Sequence, residues 1–484
     1  MHDLPLAAAP MWVYQVPTLI FAFCFGACVG SFLNVLVYRL PAGMGIVSPP
    51  SRCPICGAKL KFFTENLPII GWFYIRGKCR YCGTKVSIQY MLVELFMALL
   101  FLGLYVWLFM ANRGDGWFQA AAPDWWSLNT AVRTWPALVA WAFLAAGLVA
   151  MTMIDARTFT IPNQIPTFIT ITAFIAYPLQ ALLPVRIWTI DDWPIPAVGW
   201  APTLASTLGL VGVLIGLILL RTGRLKYSFA DYDDYLPEGG QGPLPSTAHF
   251  TALELAFILP CLIGFIVGPL TTWWIGVLVA VAIGLAVLLA DKLGVRFLEI
   301  GEDPDEETVL AHDYPHARRE VLREMVFLLP CIIGLVVGFW LGATFFEGPP
   351  PRFVQAVGAT FTGYIAGGGI VWAIRILGSL AFGKEAMGLG DVHLLAAVGA
   401  VLGWVDPLLI FVMAPVSGLL WMVIASGLGG MFKSLRQAMP YGPHLALMAF
   451  ALVLLRPGIE AAWMAWFPEQ MALPQPGFLT TPVP

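Results

Sequence analysis

Residues 135–154 read WPALVAWAFLAAGLVAMTMI, a stretch of 20 residues without a charged side chain. About 20 apolar residues suffice for a helix to cross the hydrocarbon layer of a bilayer. The stretch therefore predicts a membrane-spanning helix. The residue that follows it, Asp155, is ionisable and stands where that helix would leave the hydrocarbon.

The composition extends this prediction to the whole chain. Of 484 residues, 59% are hydrophobic and 11% are charged, and many windows as long as 135–154 hold no charge. A soluble enzyme is excluded because its core would alternate apolar and polar faces, and disorder is excluded because the chain is too apolar and its net charge of -3 too small. The near-neutral balance argues against a nucleic-acid partner. We expect an all-α polytopic membrane protein.

The apolar stretches predict about 12 transmembrane helices. Two of them, 392–404 and 444–456, are short for a full crossing, so we expect them to be tilted, broken or re-entrant. The approximate limits of the set are 12–37, 91–110, 135–154, 165–184, 199–220, 252–270, 273–290, 325–345, 355–377, 392–404, 408–428 and 444–456.

The basic residues predict the orientation. If 39–90 is cytoplasmic and the spans alternate, 21 of the 26 Lys and Arg residues fall on the cytoplasmic side. Both termini are then extracytoplasmic, and Asp155 and Asp391 share the cytoplasmic edge. The tail 457–484 is Pro-rich and expected to be loose.

One internal repeat stands out. Residues 254–268 and 324–338 match at 9 of 15 positions, and each copy holds Leu-Pro-Cys followed by two glycines four apart. Such glycines allow close helix approach, so we interpret the repeat as a duplicated packing helix. A paired transport pathway is the alternative, but neither copy carries an inward charge.

Two pairs of cysteines have the spacing of a metal site. Cys53-x-x-Cys56 and Cys79-x-x-Cys82 each bring two thiolates within reach of one ion, and two such knuckles complete a tetrahedral zinc site. Gly57 and Gly83 suit the tight turns that the knuckles need. Two disulfides are the alternative, disfavoured in a cytoplasmic loop. Because four thiolates leave no open position, the zinc would be structural. The other four cysteines lie within spans and are expected to pack as small hydrophobic residues: Cys24, Cys28, Cys261 and Cys331.

Two aspartates at the predicted membrane edge are candidates for chemistry. Asp155 follows the apolar run 135–154, and Asp391 follows Gly388-Leu389-Gly390 and then enters a span. From the residues alone, Asp391 could cap a helix and Asp155 could mark the end of a span. Glycines beside Asp391 allow close backbone approach, and two facing carboxylates cannot both ionise cheaply. One could then accept a proton from water while the other protonates a carbonyl oxygen.

Several motifs together resemble the prepilin peptidase family. They occur in the family's order and cover about 12–190 and 355–456. The motifs are GSFLNVLVYRLP (30–41), SRCPICGAKL (51–60), ENLPIIGWFYIRGKCRYCGTKVSIQYMLVEL (65–95), IDARTFTIPN (154–163), GKEAMGLGDVHLLAAVGAVLGW (383–404) and PYGPHLALMAF (440–450).

The resemblance implies an intramembrane aspartyl protease of the Gly-x-Gly-Asp type, with Asp155 and Asp391 as its catalytic pair. Its substrates would be type IV prepilins or type II secretion pseudopilins, cut after the Gly that ends a basic leader. Many members then methylate the new amino terminus with S-adenosylmethionine. We expect six further residues to shape the site or bind substrate: Gly388, Gly390, Lys384, Glu385, His393 and Asn163. The resemblance also implies a bacterial inner membrane location, with zinc loop and aspartates facing the cytoplasm.

The chain departs from the family's pattern twice. His393 stands where the family usually has Lys, so a neutral imidazole would stabilise an adjacent carboxylate less; the alternative is a His that faces headgroups. Residues 199–350 look like an insertion of about four spans in an eight-span core. The predicted organisation is a first span (12–38), a zinc-binding domain (39–90), two core regions with one Asp each (91–190 and 355–456), the insertion (199–350) and the tail (457–484).

Two other functions remain open from the sequence. A transporter or channel is compatible with many spans and a repeat, although the acids stand at one edge rather than at the midplane. An inactive, zinc-anchored scaffold of pilus assembly is the third interpretation, and the intact pair of aspartates argues against it. The sequence does not indicate an oligomeric state.

Overall fold

The structure, a computed structural model, is almost entirely helical in the part of the chain that it describes. That part consists of residues 12–46, 50–61, 64–110, 124–184, 198–226, 228, 317–382, 385–428 and 440–466. β-structure within these ranges is limited to two isolated bridges, Arg52 with Lys59 and Lys78 with Lys85. The predicted all-α membrane fold is confirmed.

The described helices are numbered here in chain order. They are α1 (Trp12–Arg39), α2 (Ile70–Tyr74), α3 (Ile88–Phe109), α4 (Asp124–Asn129), α5 (Ala131–Thr158), α6 (Gln164–Leu182), α7 (Trp200–Arg221), α8 (Ala317–Phe345), α9 (Arg352–Phe382), α10 (Leu389–Leu402), α11 (Val405–Leu428) and α12 (Gly442–Trp466).

Eight of the described helices are long and apolar enough to cross a membrane: α1, α3, α5, α6, α7, α8, α9 and α11. The two stretches predicted to be short are a 14-residue helix, α10, and the apolar part of α12, Gly442–Leu455. The helix α12 itself continues to Trp466, into the region predicted as the tail. The predicted spans 252–270 and 273–290, the repeat copy 254–268 and Cys261 lie outside the described residues, so the count of 12 stays a prediction.

The short helix α10 lies at the centre of the bundle and packs against α5, α6, α9, α11 and α12. Its residues from Leu394 to Leu402 are all buried. Small residues permit this: a Cβ added at Gly363 of α9 would overlap the carbonyl oxygen of Gly399, and one added at Gly399 would overlap that of Gly363. The backbones of α9 and α10 are therefore in direct contact, as glycine-mediated packing in membranes allows.

A buried tyrosine joins the two aspartate-bearing helices through α6. The hydroxyl of Tyr177 on α6 donates a 2.7 Å hydrogen bond to the carbonyl oxygen of Val401 on α10 and accepts one of 3.1 Å from Trp141 Nε1 on α5. Because hydrogen bonds are not exchanged with water in the membrane interior, these contacts fix α5, α6 and α10 relative to one another.

The second repeat copy packs closely against α7. A Cβ added at Gly334 or Gly338 of α8 would overlap the carbonyl oxygens of Leu208 and Leu204 on α7. Gly334 and Gly338 therefore serve the close helix approach that the sequence indicates. Glu324, the first residue of this copy, is buried and paired with Arg375 of α9, so the expectation that this copy carries no inward charge is wrong.

Candidate functional site

Asp155 lies in the last turn of α5 and is 5% exposed. The helix ends at Thr158 because Phe159 adopts the left-handed conformation (φ 53°), and its N–H donates to the Asp155 carbonyl oxygen at 2.9 Å. Ile161 and Pro162 then lead directly into α6. The carboxylate is thus buried at the end of a span, beside a tight connection between two membrane helices.

Asp391 lies in the first turn of α10 and is partly buried. The residue at the helix N-cap is Gly388, in extended conformation (φ -70°, ψ 146°). Asp391 is therefore inside the helix, and the interpretation of this residue as a helix cap is wrong. No side chain among the described residues donates a hydrogen bond to its carboxylate.

The two aspartates meet because glycine replaces a side chain between them. A Cβ added at Gly390 would lie 2.8 Å from Cβ of Ile161, so the start of α10 rests directly on the connection that follows Asp155. The carboxylates of Asp155 and Asp391 are close enough to interact electrostatically. Two sequence motifs more than 200 residues apart thus form one acidic pair.

A third segment completes the pair. The backbone N–H of Gly442, the first residue of α12, donates a 3.1 Å hydrogen bond to Oδ2 of Asp155. A Cβ at Gly442 would lie 2.6 Å from that oxygen. The motif 440–450 by itself gives Gly442 no place in the site. The available signal in the sequence was a glycine next to a proline at the start of a predicted span.

Four other predicted site residues have different surroundings. Gly388 has open space around it, since an added Cβ would come no closer than 3.8 Å to Asp391 Oδ2. Glu385 contacts Arg375 of α9. Asn163 is exposed at the start of α6, without a capping hydrogen bond from its side chain. Lys384 lies outside the described residues.

His393 lines a cavity of about 90 Å³ between α6, α9 and α10. Its neighbours there include Thr170, Phe174 and Tyr364, so the ring faces protein and the alternative of a headgroup-facing histidine loses support.

A second cavity of about 90 Å³ lies beside the Asp155 helix. Its walls come from three motifs, with Asn34 and Tyr38 of α1, Gln89 and Tyr90 at the start of α3, and Arg157 of α5 among them. Cofactor pockets usually enclose roughly 300 Å³ or more. Each of the two cavities is too small to hold S-adenosylmethionine.

The four cysteines converge as a metal site requires. Their Sγ atoms all lie within 4.8 Å of one another, with 3.8 Å between Cys53 and Cys82 and 3.9 Å between Cys56 and Cys79. Tetrahedral zinc with Zn–S bonds of about 2.3 Å needs sulfurs about 3.8 Å apart. The distances are too long for disulfides, whose S–S bond is about 2.05 Å. The donor set therefore fits one structural metal ion.

The two knuckles have the same backbone geometry. The N–H groups of Cys53 and Cys79 donate to the carbonyl oxygens of Ala58 and Thr84, at 2.9 and 2.8 Å. Gly57 (φ 69°) and Gly83 (φ 72°) make the left-handed turns expected from the sequence.

The knuckle thiols differ in their pKa values. Hydrogen bonding with Thr84 lowers the pKa of Cys82 to about 6. For Cys56, a backbone hydrogen bond with Ala58 is outweighed by desolvation and the neighbouring thiols, which raise the pKa to about 11. Because a metal binds thiolates, its charge would offset the mutual repulsion of four sulfurs.

The cysteine domain is fastened to the helices near Asp155. Glu94 of α3 accepts a 2.7 Å hydrogen bond from the Ile69 N–H of this domain. Asn34 Nδ2 of α1 donates to the Tyr90 carbonyl oxygen at 2.9 Å and so holds the first turn of α3, which follows the domain. Arg157 approaches Gln89 Oε1 at 3.5 Å. The domain's exit therefore lies beside the helix that carries Asp155.

Comparisons with known proteins point to one family. Residues 24–108 match the family described as "Bacterial Peptidase A24 N-terminal domain", and residues 326–423, which include Asp391, match the "Type IV leader peptidase family". Asp155 lies in neither match. No solved structure matches the chain significantly.

Curated relatives carry the name prepilin leader peptidase/N-methyltransferase. The chain is 32% identical to the protein of that name from Myxococcus xanthus in an alignment of 268 residues that covers 48% of this chain and 72% of the relative. The relative from Xanthomonas campestris is 36% identical over 29% of this chain and 48% of its own length. The relative from Neisseria gonorrhoeae is 31% identical over 30% of this chain and 50% of its own length. With these motifs, this helical fold and an identity that extends over most of the Myxococcus protein, the chain belongs to the type IV leader peptidase family.

Proposed function

We propose that this chain is an aspartic endopeptidase that removes the leader from type IV prepilins and type II pseudopilins, with Asp155 and Asp391 as its catalytic pair. The observation that carries the proposal is the meeting of Asp155, Asp391 and Gly442 at one edge of the bundle. Membership of the leader peptidase family and the names of the relatives support the substrate class.

The arrangement supports a division of roles within the pair. The Gly442 N–H donates to Oδ2 of Asp155, which orients this carboxylate and stabilises negative charge on it. Asp155 then accepts a proton from the attacking water, while Asp391 holds a proton and gives it to the carbonyl oxygen of the scissile peptide. The tetrahedral intermediate collapses when Asp155 gives the proton taken from water to the leaving amine and a hydroxyl of the intermediate returns a proton to Asp391. No covalent enzyme intermediate forms.

The lipid bilayer determines how the substrate reaches Asp155 and Asp391. A prepilin lies in the bilayer as one hydrophobic helix, with its leader in the cytoplasm. Asp155 ends one apolar helix and Asp391 begins another, so the scissile bond needs only to reach the membrane edge. The predicted bias of basic residues supports the cytoplasmic edge of the inner membrane. The pair therefore cuts where the leader leaves the lipid.

The cysteine cluster supports a structural role for zinc. Cys53, Cys56, Cys79 and Cys82 would hold the ion, which when bound cross-links the two knuckles and leaves no position for substrate or water. The chain's own contacts then place the domain: Glu94 of α3 binds the Ile69 N–H, and Asn34 of α1 holds the first turn of α3, to which the domain leads. We propose that this domain covers the leader of the substrate beside Arg157.

The direct test is a cleavage assay with purified protein in proteoliposomes and a prepilin substrate. Asp155→Asn and Asp391→Asn should each abolish cleavage. Asp406→Asn is the matched control, because Asp406 is also buried (5% exposed) but begins α11, beyond the opposite end of α10. Undiminished cleavage by either variant of the pair would refute the dyad. Absence of cleavage by the wild type in a host without its own peptidase would favour the scaffold or transporter interpretations.

A second activity is favoured by the relatives' shared name, which includes N-methyltransferase. We propose that the new amino terminus is methylated from S-adenosylmethionine after cleavage. Mass spectrometry of the mature pilin should show one added methyl group at the amino terminus. An unmodified terminus in the presence of the methyl donor would restrict the chain to proteolysis.

A further inference from the structure

A buried arginine connects the turn before Asp391 to a neighbouring helix. Arg375 lies near the end of α9 and is 1% exposed, and Glu324 near the start of α8 is 3% exposed. Arg375 Nη2 donates to Glu324 Oε1 at 2.8 Å, and Nε donates to the same carboxylate at 3.0 and 3.2 Å. This is a bidentate pair, the strongest form of carboxylate recognition by arginine.

The other side of the guanidinium reaches the turn that precedes α10. Arg375 Nη1 donates both to the Glu385 carboxylate and to the carbonyl oxygen of Met387. Met387 is followed by Gly388, the N-cap residue of the helix in which Asp391 occupies the first turn. One guanidinium therefore binds α8 with one edge and the Asp391 turn with the other.

The acidic partner is held in one orientation by further donors. Glu324 Oε2 accepts a 2.9 Å hydrogen bond from Trp372 Nε1, and Oε1 accepts one of 3.1 Å from Ser228 Oγ. The indole of Trp372 also packs on Phe327, with ring centroids 5.5 Å apart. The carboxylate that orients Arg375 is thus fixed from α9, from α8 and from the segment after α7.

A stability role alone explains such a cluster poorly. Buried ion pairs are often no more stabilising than apolar residues of the same volume, and charges in membrane segments are costly. The Arg375 guanidinium also donates a hydrogen bond to the carbonyl oxygen of Met387, next to Gly388. A role in packing alone would not require this bond.

We propose that Arg375 is a positioning residue for Asp391, and that Glu324 sets the orientation of Arg375. The helix α8 lies within the predicted insertion 199–350, but the family match begins at residue 326, inside this helix. In this proposal α8 supports the catalytic turn rather than forming part of a separate module. The inference rests on the proposed peptidase function. It makes that function depend on α8, a helix that contributes no catalytic residue.

The test combines kinetics with hydrogen exchange on full-length protein. Glu324→Gln keeps the shape and removes the charge, and Arg375→Lys keeps the charge but loses the fork. Both should lower kcat about tenfold or more, with KM within about twofold, because a misplaced acid slows chemistry more than binding. Arg375→Met should lose more kcat than Arg375→Lys. Amide exchange of residues 385–391 should become faster in all three.

The matched control is Arg323→Gln. Arg323 is the neighbour of Glu324 on α8 and forms its own 2.6 Å ion pair with Glu320, without a contact to the turn. This variant should lower thermal stability while kcat and exchange of 385–391 stay at wild-type values.

Two outcomes would overturn the proposal. Wild-type exchange of 385–391 in Glu324→Gln and Arg375→Lys would show that the pair does not hold the turn. A loss of kcat in Arg323→Gln as large as the losses in Glu324→Gln and Arg375→Lys would show that the effect is general destabilisation. Exchange is measured without substrate, so a wild-type protein that cleaves no prepilin would refute the proposed function and leave the positioning result readable by itself.

Discussion

The backbone N–H of Gly442 donates a 3.1 Å hydrogen bond to Oδ2 of Asp155, across a sequence separation of 287 residues. The first turn of α12 is therefore part of the site that we propose to be catalytic. A backbone donor suits this position because it holds the carboxylate without adding a second titrating group beside the pair.

Gly442→Ala should inactivate the enzyme. The new Cβ would lie 2.6 Å from Asp155 Oδ2 and 3.1 Å from Ile161 Cδ1, so the carboxylate must move. Displacement of a catalytic group by about 1 Å can cost on the order of 100-fold in rate. The measurement is kcat for prepilin cleavage. Gly418→Ala on α11 is the control, because its Cβ would meet no atom within 4 Å; equal activities of the two variants would contradict the role of Gly442.

The two glycines of the Gly-x-Gly-Asp motif should respond differently to substitution. A Cβ at Gly390 would lie 2.8 Å from Cβ of Ile161, whereas one at Gly388 would come no closer than 3.8 Å to any atom. We expect Gly390→Ala to lose about tenfold or more in kcat and Gly388→Ala to lose much less. Ile161→Gly should restore part of the loss in Gly390→Ala. Equal losses of kcat at both positions would instead indicate that bound substrate lies close to Gly388.

Removal of one knuckle cysteine should release the metal. Cys56→Ser should reduce zinc from one ion per chain to substoichiometric levels and make the loop 50–61 sensitive to proteolysis, because three thiolates bind a structural ion less tightly. Elemental analysis of purified protein provides the measurement. Cys28→Ser, in α1 and outside the cluster, should retain the metal. Wild-type protein without stoichiometric zinc would refute the site.

The contact between α9 and α10 should tolerate added side-chain volume poorly. Gly363→Ala would force its Cβ into the Gly399 carbonyl oxygen and should destabilise the protein by about 1–3 kcal/mol, the usual cost of overpacking. Gly369→Ala in the same helix meets no atom within 4 Å and should leave the unfolding midpoint in detergent nearly unchanged. Equal midpoints for the two variants would show that α9 and α10 can separate without cost.

Local patterns accounted for much of the fold and site. Uncharged runs predicted the long helices, and the residues 392–404 and 444–456 were recognised as unusually short. The Cys-x-x-Cys pairs predicted a metal cluster, since the spacing within a knuckle is itself the geometry of the site. Resemblance to a family supplied the pairing of Asp155 with Asp391, which the residues alone left open beside simpler structural roles.

Contacts between distant segments were beyond such patterns. The roles of Gly442, Arg375 and Glu324 depend on which helices are neighbours, and neither hydropathy nor spacing specifies neighbours in a bundle of many similar helices. A single arginine within the apolar span 355–377 was the available signal for Arg375, because such a charge requires a partner.

The sequence by itself determined that the chain is a membrane protein and which cysteines come together, and it predicted which residues stand at the membrane edge, because each depends on nearby residues and on transfer from water. Only the tertiary structure decided that the Asp155 connection, the Gly390 turn and the start of α12 meet, and that Glu324 of α8 reaches the same turn through Arg375. Those relationships arise from close helix packing at glycines and from buried polar groups that must find partners, and both are settled by the whole bundle at once.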